Sequence, residues 1–457
     1  MPILGAIADD FTGATDLATM LVARGFRTEV TVGPPDPAAL RAAGEGPSGV
    51  DAVVVALKSR TAPVETAVRD SVSALRALRA AGCARFYFKY CSTFDSTPQG
   101  NIGPVTDALL DELGERHTVV VPSFPATGRT VYRSRLFVHD DLLDESPMRD
   151  HPLTPMHDAH LGRLLAPQTR RAVHALPHET VRAGAAAVRA VLAEPACQNG
   201  LIVADATTDD DLRVLAAATD ELPLVTGAAG LALGLTGPRP DAESARARAA
   251  EAGPSARGAV LSGSASAATR AQVAHGRAHL PHRKLDLGAL RDDFEAAVAA
   301  LTGFAVHCWR DDPSHPPLIY AVGEESDVER SAPGADDGGS PAELVERALA
   351  RCAVGLVRAG ATRLLVAGGE TSGAVVTALG IHTLRMGAPL GPGVSWATAE
   401  PRAREGTQPG AGTRADAGGV GTGAQAGEGP ARRIDLALKS GNFGATDLFT
   451  SAWDALA

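Results

Sequence analysis

The sequence predicts an α/β protein of two domains with mainly parallel sheets and an active-site cleft between them. Three observations carry that expectation. A chain of 457 residues is too long for one ordinary core. Short runs of β-branched and apolar residues alternate with Ala/Leu/Arg segments of helical spacing, the pattern of βαβ units with helices on both faces of a sheet. A stretch rich in Pro, Gly and charge, residues 237–256, then interrupts the alternation without a strand signal and reads as a linker. The division is therefore 1–236, a linker at 237–256, and 257–457.

In the first part the expected strands are Ile3 to Ala8, Thr28 to Val32, Ala52 to Leu57, Phe86 to Lys89, Thr118 to Val121 and Leu201 to Ala204, with helices at Pro63 to Ala81 and Thr180 to Ala193. In the second part they are Gly258 to Leu261, Pro317 to Val322, Arg363 to Ala367 and Ile434 to Leu438. Helices are expected there near Ala267–Ala278, Pro341–Ala359 and Ala445–Leu456. Two stretches, 324–340 (acidic, Gly/Ser-rich) and 398–432 (Gly, Ala and Thr), lack the apolar residues that would order them and read as mobile insertions. No repeat of solenoid period occurs.

Composition excludes several classes. An apolar fraction of 45% and a charged fraction of 21% describe a soluble globular protein. A net charge of −10 without a basic block argues against a nucleic-acid binder. Five dispersed cysteines with no C-x-x-C pair suggest reduced thiols in a cytoplasmic protein rather than a disulfide frame or zinc site. The N-terminus runs straight into Ile3-Leu4-Gly5-Ala6 with no secretory pattern, and no apolar run approaches membrane-spanning length.

The polar clusters fall where strands end, which is where sheets of this kind bind ligands. Asp9-Asp10-Phe11-Thr12-Gly13-Ala14-Thr15-Asp16 follows the first strand. Adjacent carboxylates there can accept hydrogen bonds from substrate hydroxyls, or one can act as a base; the plainer role is a helix cap. Lys58-Ser59-Arg60 ends the third strand, and a guanidinium offers a planar fork for a carboxylate. The run Lys89 to Gly103 (KYCSTFDSTPQGNIG) packs a cation, hydroxyls, a carboxylate and carboxamides into one loop, the inventory for reading a small polyhydroxylated acid.

In the second part, Arg363-Leu364-Leu365-Val366 leads into Ala367-Gly368-Gly369-Glu370-Thr371-Ser372-Gly373. A strand, a glycine turn and a helix start leave backbone N–H groups and the positive end of the helix dipole aimed at one point, where an anion fits. Ser262-Gly263-Ser264-Ala265-Ser266 and Lys439-Ser440-Gly441-Asn442-Phe443-Gly444 occupy equivalent positions after their strands. Three such turns together point to a polyphosphate. Gly391-Pro392-Gly393 reads as a shaping turn, and His151 as a loop histidine that could contact substrate but is more simply structural. The chain has no Gly-Lys pair and hence no P-loop. Its G-x-G-x-x-G match (Gly44 to Gly49) precedes a strand and contains Pro47, which disfavours a nicotinamide oxidoreductase. H-E-x-x-H and G-x-S-x-G are absent.

Taken together, the Ala8–Asp16 segment, the Lys89–Gly103 run, the Gly368–Gly373 loop and Leu438-Lys439-Ser440-Gly441-Asn442-Phe443-Gly444 resemble the four-carbon acid sugar kinase family, in order and over nearly the whole chain. The resemblance is nearest to its 3-oxo-tetronate 4-kinases. It implies an N-terminal acid-sugar-binding domain, a C-terminal nucleotide-binding domain, and ATP-dependent phosphorylation of a tetronate C4 hydroxyl with Mg²⁺. By position it puts acid-sugar contacts at Asp10, Arg60, Asp95, Ser96 and Thr97, with Lys89 beside them. ATP contacts fall at Ser262 or Ser264, at Gly368, Gly369, Glu370, Thr371 and Ser372, and at Gly441. Asp10, then Asp9, is the expected catalytic carboxylate; metal ligands are not assigned. The 398–432 stretch departs from the pattern, since relatives join the Gly391-Pro392-Gly393 turn to the last strand more directly. A D-threonate or D-erythronate 4-kinase and a non-catalytic sugar-acid sensor are the competing readings. The expected partners are a sugar acid and ATP, neither nucleic acid nor membrane, with a homodimer left open.

Overall fold

The computed structural model describes residues 2–43, 49–150, 154–247, 249, 256–324, 327, 340–401 and 433–456. His151, Gly44 to Ser48 of the G-x-G-x-x-G match, and most of the two expected insertions lie outside the described residues.

The first part supplies β1 (Leu4–Ala8), β2 (Thr28–Val32), β3 (Ala52–Ala56), β4 (Arg85–Lys89), β5 (Thr118–Val121), a small separate sheet of β6 (Arg129–Tyr132), β7 (Arg135–Val138) and β8 (Asp141–Leu142), then β9 (Ala172–Leu176), β10 (Gly200–Ala204) and β11 (Leu224–Gly227). The second part supplies β12 (Gly258–Ser262), β13 (His282–Lys284), β14 (Leu318–Tyr320), β15 (Arg363–Ala367), β16 (Thr383–Gly391), β17 (Val394–Ala399) and β18 (Ile434–Lys439). The strands of the parallel cores are almost wholly buried, as strands covered by helices on both faces must be.

The two sheets expected from the sequence run into one another. A single 15-stranded sheet has the order β13-β14-β12-β15-β18-β17-β16-β2-β3-β1-β4-β11-β5-β10-β9. Within this sheet pairing is parallel in each part and antiparallel only at the junction, β18–β17, β17–β16 and β16–β2; the separate β6–β7–β8 sheet is antiparallel. The β16–β17 hairpin, turned at Gly391-Pro392-Gly393, carries register shifts at Met386, Pro389 and Gly391, and irregularities of this kind bend a strand and raise its twist. Three antiparallel steps set β18 and β2 in opposite senses.

Helix α1 (Phe11–Ala23) lies in the junction. Residues Thr12 to Val22 are all buried, because the helix packs on β2, β3, β16 and β17 and against the turn at Ala229–Gly234 and the helix after β15. A helix buried along its length needs small and apolar residues on most of its surface, and FTGATDLATMLVA supplies them around the buried Thr12, Thr15, Asp16 and Thr19.

Several expectations are corrected in detail. β6 to β9, β11, β13 and the hairpin were not expected as strands; β11 is inserted between β4 and β5, a pairing that local pattern does not encode. Thr398 and Ala399, expected in an insertion, belong to β17. The helix expected over Thr180–Ala193 is two helices, His178–Arg182 and Ala185–Leu192, parted at Gly184 with φ 96°. In the described part of 237–256, Gly237 N–H reaches Arg24 O at 2.8 Å and the Arg239 fork holds Asp51 at 2.9 and 3.0 Å.

Candidate active site

The acid cluster at the end of β1 is organised by one arginine. Arg60 places Nε on Asp9 Oδ2 and Nη2 on Asp9 Oδ1, both at 2.9 Å, and meets Asp10 Oδ1 at 2.8 Å and Asp95 Oδ2 at 3.4 Å. The Asp9 side chain is 7% exposed and that of Asp10 30%. Burial pushes the Asp9 carboxyl above the ordinary carboxylate value, against the pull of the Arg60 fork. Burial also works to lower Arg60, but Asp9 and Asp10 outweigh it and hold the guanidinium well above its usual value. The expectation that Arg60 presents an open fork to a substrate carboxylate therefore needs revision: three protein carboxylates already occupy it.

Local structure explains how these groups arrive. Asp10 caps α1, accepting the Gly13 N–H at 3.0 Å, and a Cβ on Gly13 would lie 2.2 Å from that oxygen. Asp9 O accepts the Ser59 and Arg60 N–H groups at 3.0 and 3.2 Å, tying β3's end to β1's. Asn101 Nδ2 reaches the carbonyls of Ser59, Arg60 and Ala62 at 2.7, 3.2 and 2.8 Å and clamps the arginine loop from below. Asp95 follows Phe94, a buried aromatic residue held at φ 63°. Such a backbone is strained for a bulky side chain and persists only where the surroundings enforce it; here it turns Asp95 to Arg60 and to the Thr93 hydroxyl, which donates at 2.6 Å. Gln168 Nε2 holds Ser96 Oγ at 3.0 Å and Thr97 O at 2.7 Å. Lys89 is buried, with Nζ donating to Tyr90 O at 2.9 Å. Asp16, one turn further along α1, is buried with Oδ1 unpartnered among the described residues, and burial pushes its carboxyl up to about 6.

Across the junction, three loops at the ends of β12, β15 and β18 are laced together. Gly263 N–H reaches Ala367 O at 3.0 Å and Gly368 N–H reaches Lys439 O at 2.9 Å. A Cβ on Gly263 would stand 2.2 Å from Thr371 Oγ1, and one on Gly441 would stand 2.7 Å from Ser264 Oγ. Gly368 has φ 124°, a conformation that glycine alone adopts readily. The hydroxyls of Ser262 and Ser372 are buried without a partner among the described residues. Two helices begin here, Ala267–His279 with Ser266 as its cap and Gly369–Ala378 directly after Gly368, so N–H groups and two dipole ends face the same loops.

The two clusters meet. A Cβ on Gly369 would be 3.0 Å from Thr12 Oγ1 in the acidic octet, and one on Gly393 would be 3.0 Å from Asp16 Oδ1. Lys58 and Glu370 pair across the rim at 3.3 Å, both exposed. The strand ends of both parts thus open on one junction.

Residues 4–235 match the profile of a family described as "Sugar-binding N-terminal domain", and residues 259–449 match "Nucleotide-binding C-terminal domain". The chain belongs to the four-carbon acid sugar kinase family. Among its relatives are proteins named 3-oxo-tetronate kinase from Burkholderia multivorans (48% identical, 100% of this chain and 97% of the relative) and Pseudomonas savastanoi pv. phaseolicola (45%, 100% and 98%). Two crystal structures share the fold over the full length. One is of a Salmonella typhimurium LT2 protein, 37% identical with TM-score 0.82, covering 100% of both chains. The other is of Haemophilus influenzae HI1011, 36% identical with TM-score 0.74, covering 99% and 100%.

In this four-carbon acid sugar kinase family member, the sequence motifs of the two clusters approach each other at Thr12 and Gly369. Sequence reasoning did not single out Asn101, Gln168 or Asp16. Asn101 lay within the polar run, but its role as a clamp on the Arg60 loop depends on a contact 41 residues back in the chain. Gln168 stands in a segment with no motif at all. No helix of the described residues is long and apolar enough to cross a membrane.

Proposed function

We propose that this sugar-acid kinase transfers the γ-phosphoryl group of ATP to the C4 hydroxyl of 3-oxo-tetronate. The observation that carries the reading is the close approach of Thr12, in the acidic octet, to Gly369, in the glycine loop. It is supported by the names of relatives matched over the whole chain. On this reading residues 1–236 hold the acid and 257–457 the nucleotide.

Phosphoryl transfer asks the protein chiefly to align two oxygens on phosphorus, neutralise charge and exclude water. Backbone N–H groups at Gly368 to Ser372, with Ser262, Ser264 and the Gly441 loop, would cradle the phosphates. Ser96, Thr97 and Asp95 would bind the acid's hydroxyls, and Lys89 would supply the positive charge for its carboxylate. Asp10 is the better candidate to orient or deprotonate the attacking hydroxyl, being the more exposed of the pair; Asp9 keeps Arg60 in place. Among the described residues no cluster of three or more His, Cys, Asp or Glu could hold a metal alone. That fits Mg²⁺ arriving on the triphosphate, with Asp10 or Glu370 as the protein carboxylate at hand, where it would draw charge from the phosphate oxygens.

The test is an ATP-consumption screen over four-carbon sugar acids, with the phosphate position assigned by NMR. Turnover on 3-oxo-tetronate giving a 4-phosphate is expected. Preference for D-threonate or D-erythronate would replace the substrate assignment, and acid binding without ADP release would overturn the activity.

A further inference from the structure

We infer that Lys439 is a positioning residue for the nucleotide, acting through the Gly441 carbonyl rather than by touching phosphate. The inference rests on the glycine loops being the phosphate site. Lys439 ends β18 with its side chain fully buried. Its Nζ lies 2.7 Å from Thr269 Oγ1 and 3.0 Å from Gly441 O. Two hydroxyls from the start of the 267–279 helix reach the same carbonyl oxygen, Ser266 Oγ at 2.6 Å and Thr269 Oγ1 at 2.7 Å. Nζ donates to Thr269 Oγ1, which leaves the single Thr269 hydroxyl hydrogen for Gly441 O, so Lys439 supports two of the three contacts that direct this C=O.

A trans peptide points its N–H opposite to its C=O. Fixing Gly441 C=O into the buried seat therefore fixes the Asn442 N–H outward. Asn442 is exposed, in a turn closed by Phe443 N–H on Ser440 O at 3.3 Å, and its own N–H has no backbone partner among the described residues. Gly441 also abuts Ser264, whose loop carries the unpartnered, fully buried Ser262 hydroxyl. The outward N–H thus belongs to the same array as the other two loops, and suits an oxygen of a nucleoside polyphosphate. Among the described residues no carboxylate pairs with Lys439; a buried lysine so placed is costly, and burial draws it down to about 7, so holding this peptide plane is the work that its place in the structure leaves it.

The experiment compares Lys439→Met, Lys439→Gln and Gly441→Val, using ADP titration calorimetry, the KM of ATP and of the acid, kcat, and thermal melting. Loss of a charged donor should weaken ADP binding and raise the ATP KM by about ten- to a hundredfold. The acid KM should stay within about twofold and kcat within a few fold, since the acid cluster is untouched. Lys439→Gln, which keeps one N–H for the carbonyl, should recover part of the affinity, and it carries the test if Lys439→Met does not fold. Wild-type ADP affinity in both lysine variants, or equal losses for ATP and acid, would overturn the inference. Gly441→Val separates the two claims. If it too binds ADP normally, the glycine-loop reading itself is wrong; if it alone loses ADP, only the role of Lys439 is.

Discussion

Replacing Asp10 with asparagine separates chemistry from architecture. Asp10 Oδ1 caps α1 through the Gly13 N–H at 3.0 Å and meets Arg60 at 2.8 Å. Asparagine caps a helix about as well as aspartate, so the start of α1 survives. Arg60 retains both bonds to Asp9 at 2.9 Å and its approach to Asp95 at 3.4 Å. The pair lost is partly exposed, 21% and 30% at the side chains, and is worth about 1 kcal/mol or less after screening. Stability should therefore change little. The carboxylate charge that would orient or accept the proton of the attacking hydroxyl disappears. General-base assistance is worth roughly 10²–10⁴ in rate, and the loose transition state of phosphoryl transfer argues for the lower end. We expect kcat to fall about a hundredfold, close to 3 kcal/mol of barrier. The assay is coupled ADP release at saturating acid and ATP, beside an ADP titration that should be unchanged. A kcat within about threefold of wild type, with nucleotide binding intact, would remove Asp10 from the chemistry. Asp9→Asn is the contrast. Asp9 is the buried end of the fork, and breaking a buried pair from one side costs about 3–5 kcal/mol, so that variant should lose melting temperature first.

Three further outcomes follow from the geometry. Gly369→Val brings a side chain to 3.0 Å from Thr12 Oγ1; it should weaken ADP binding by about tenfold or more, and an unchanged titration would refute the glycine cradle. Asn101→Ala removes the donor shared by three carbonyls of the Arg60 loop. It should cost about 1–3 kcal/mol in stability and raise the acid KM while leaving the ATP KM alone; equal rises in both would show that the clamp is not local. Asp16 is held up at about 6 by burial, with Lys89 and Arg129 opposing and Asp10 reinforcing. A raised folded-state value means that its contribution to stability is complete below about pH 4 and lost as pH rises through 6. Asp16→Asn cannot ionise and should gain on wild type above pH 6, by up to about 3 kcal/mol for a shift of this size, with the advantage gone below pH 4. Parallel melting curves across that range would show that Asp16 does not titrate as described.

Much of this protein could be read along the chain because the evidence was local. Alternation of apolar runs with helical segments is a periodicity, and it located β1 to β5, β10, β12, β14, β15 and β18. The loops after β1, β4, β12, β15 and β18 stood out because packing gives no reason for glycine, hydroxyl and carboxylate to concentrate at strand ends. Among the strands that escaped notice are some whose identity depends on a neighbour: β11 is a strand through β4 and β5, and β16 and β17 through β2 and β18.

The roles within the site depended on space rather than on order. From the sequence Arg60 is a fork awaiting an acid; in the fold it is held by Asp9 and Asp10 from the end of β1 and by Asp95 from the loop after β4. Lys439 opens a loop read as part of a polyphosphate site, and in the fold its side chain is buried against a carbonyl. Residue types and their order along the chain determined the fold class, the strand-end loops and the family. Only the tertiary structure decided that both sets of loops share one junction, because the hairpin that joins the two parts of the sheet and the helix packed beside it bring together groups that lie hundreds of residues apart, and no local pattern carries that distance.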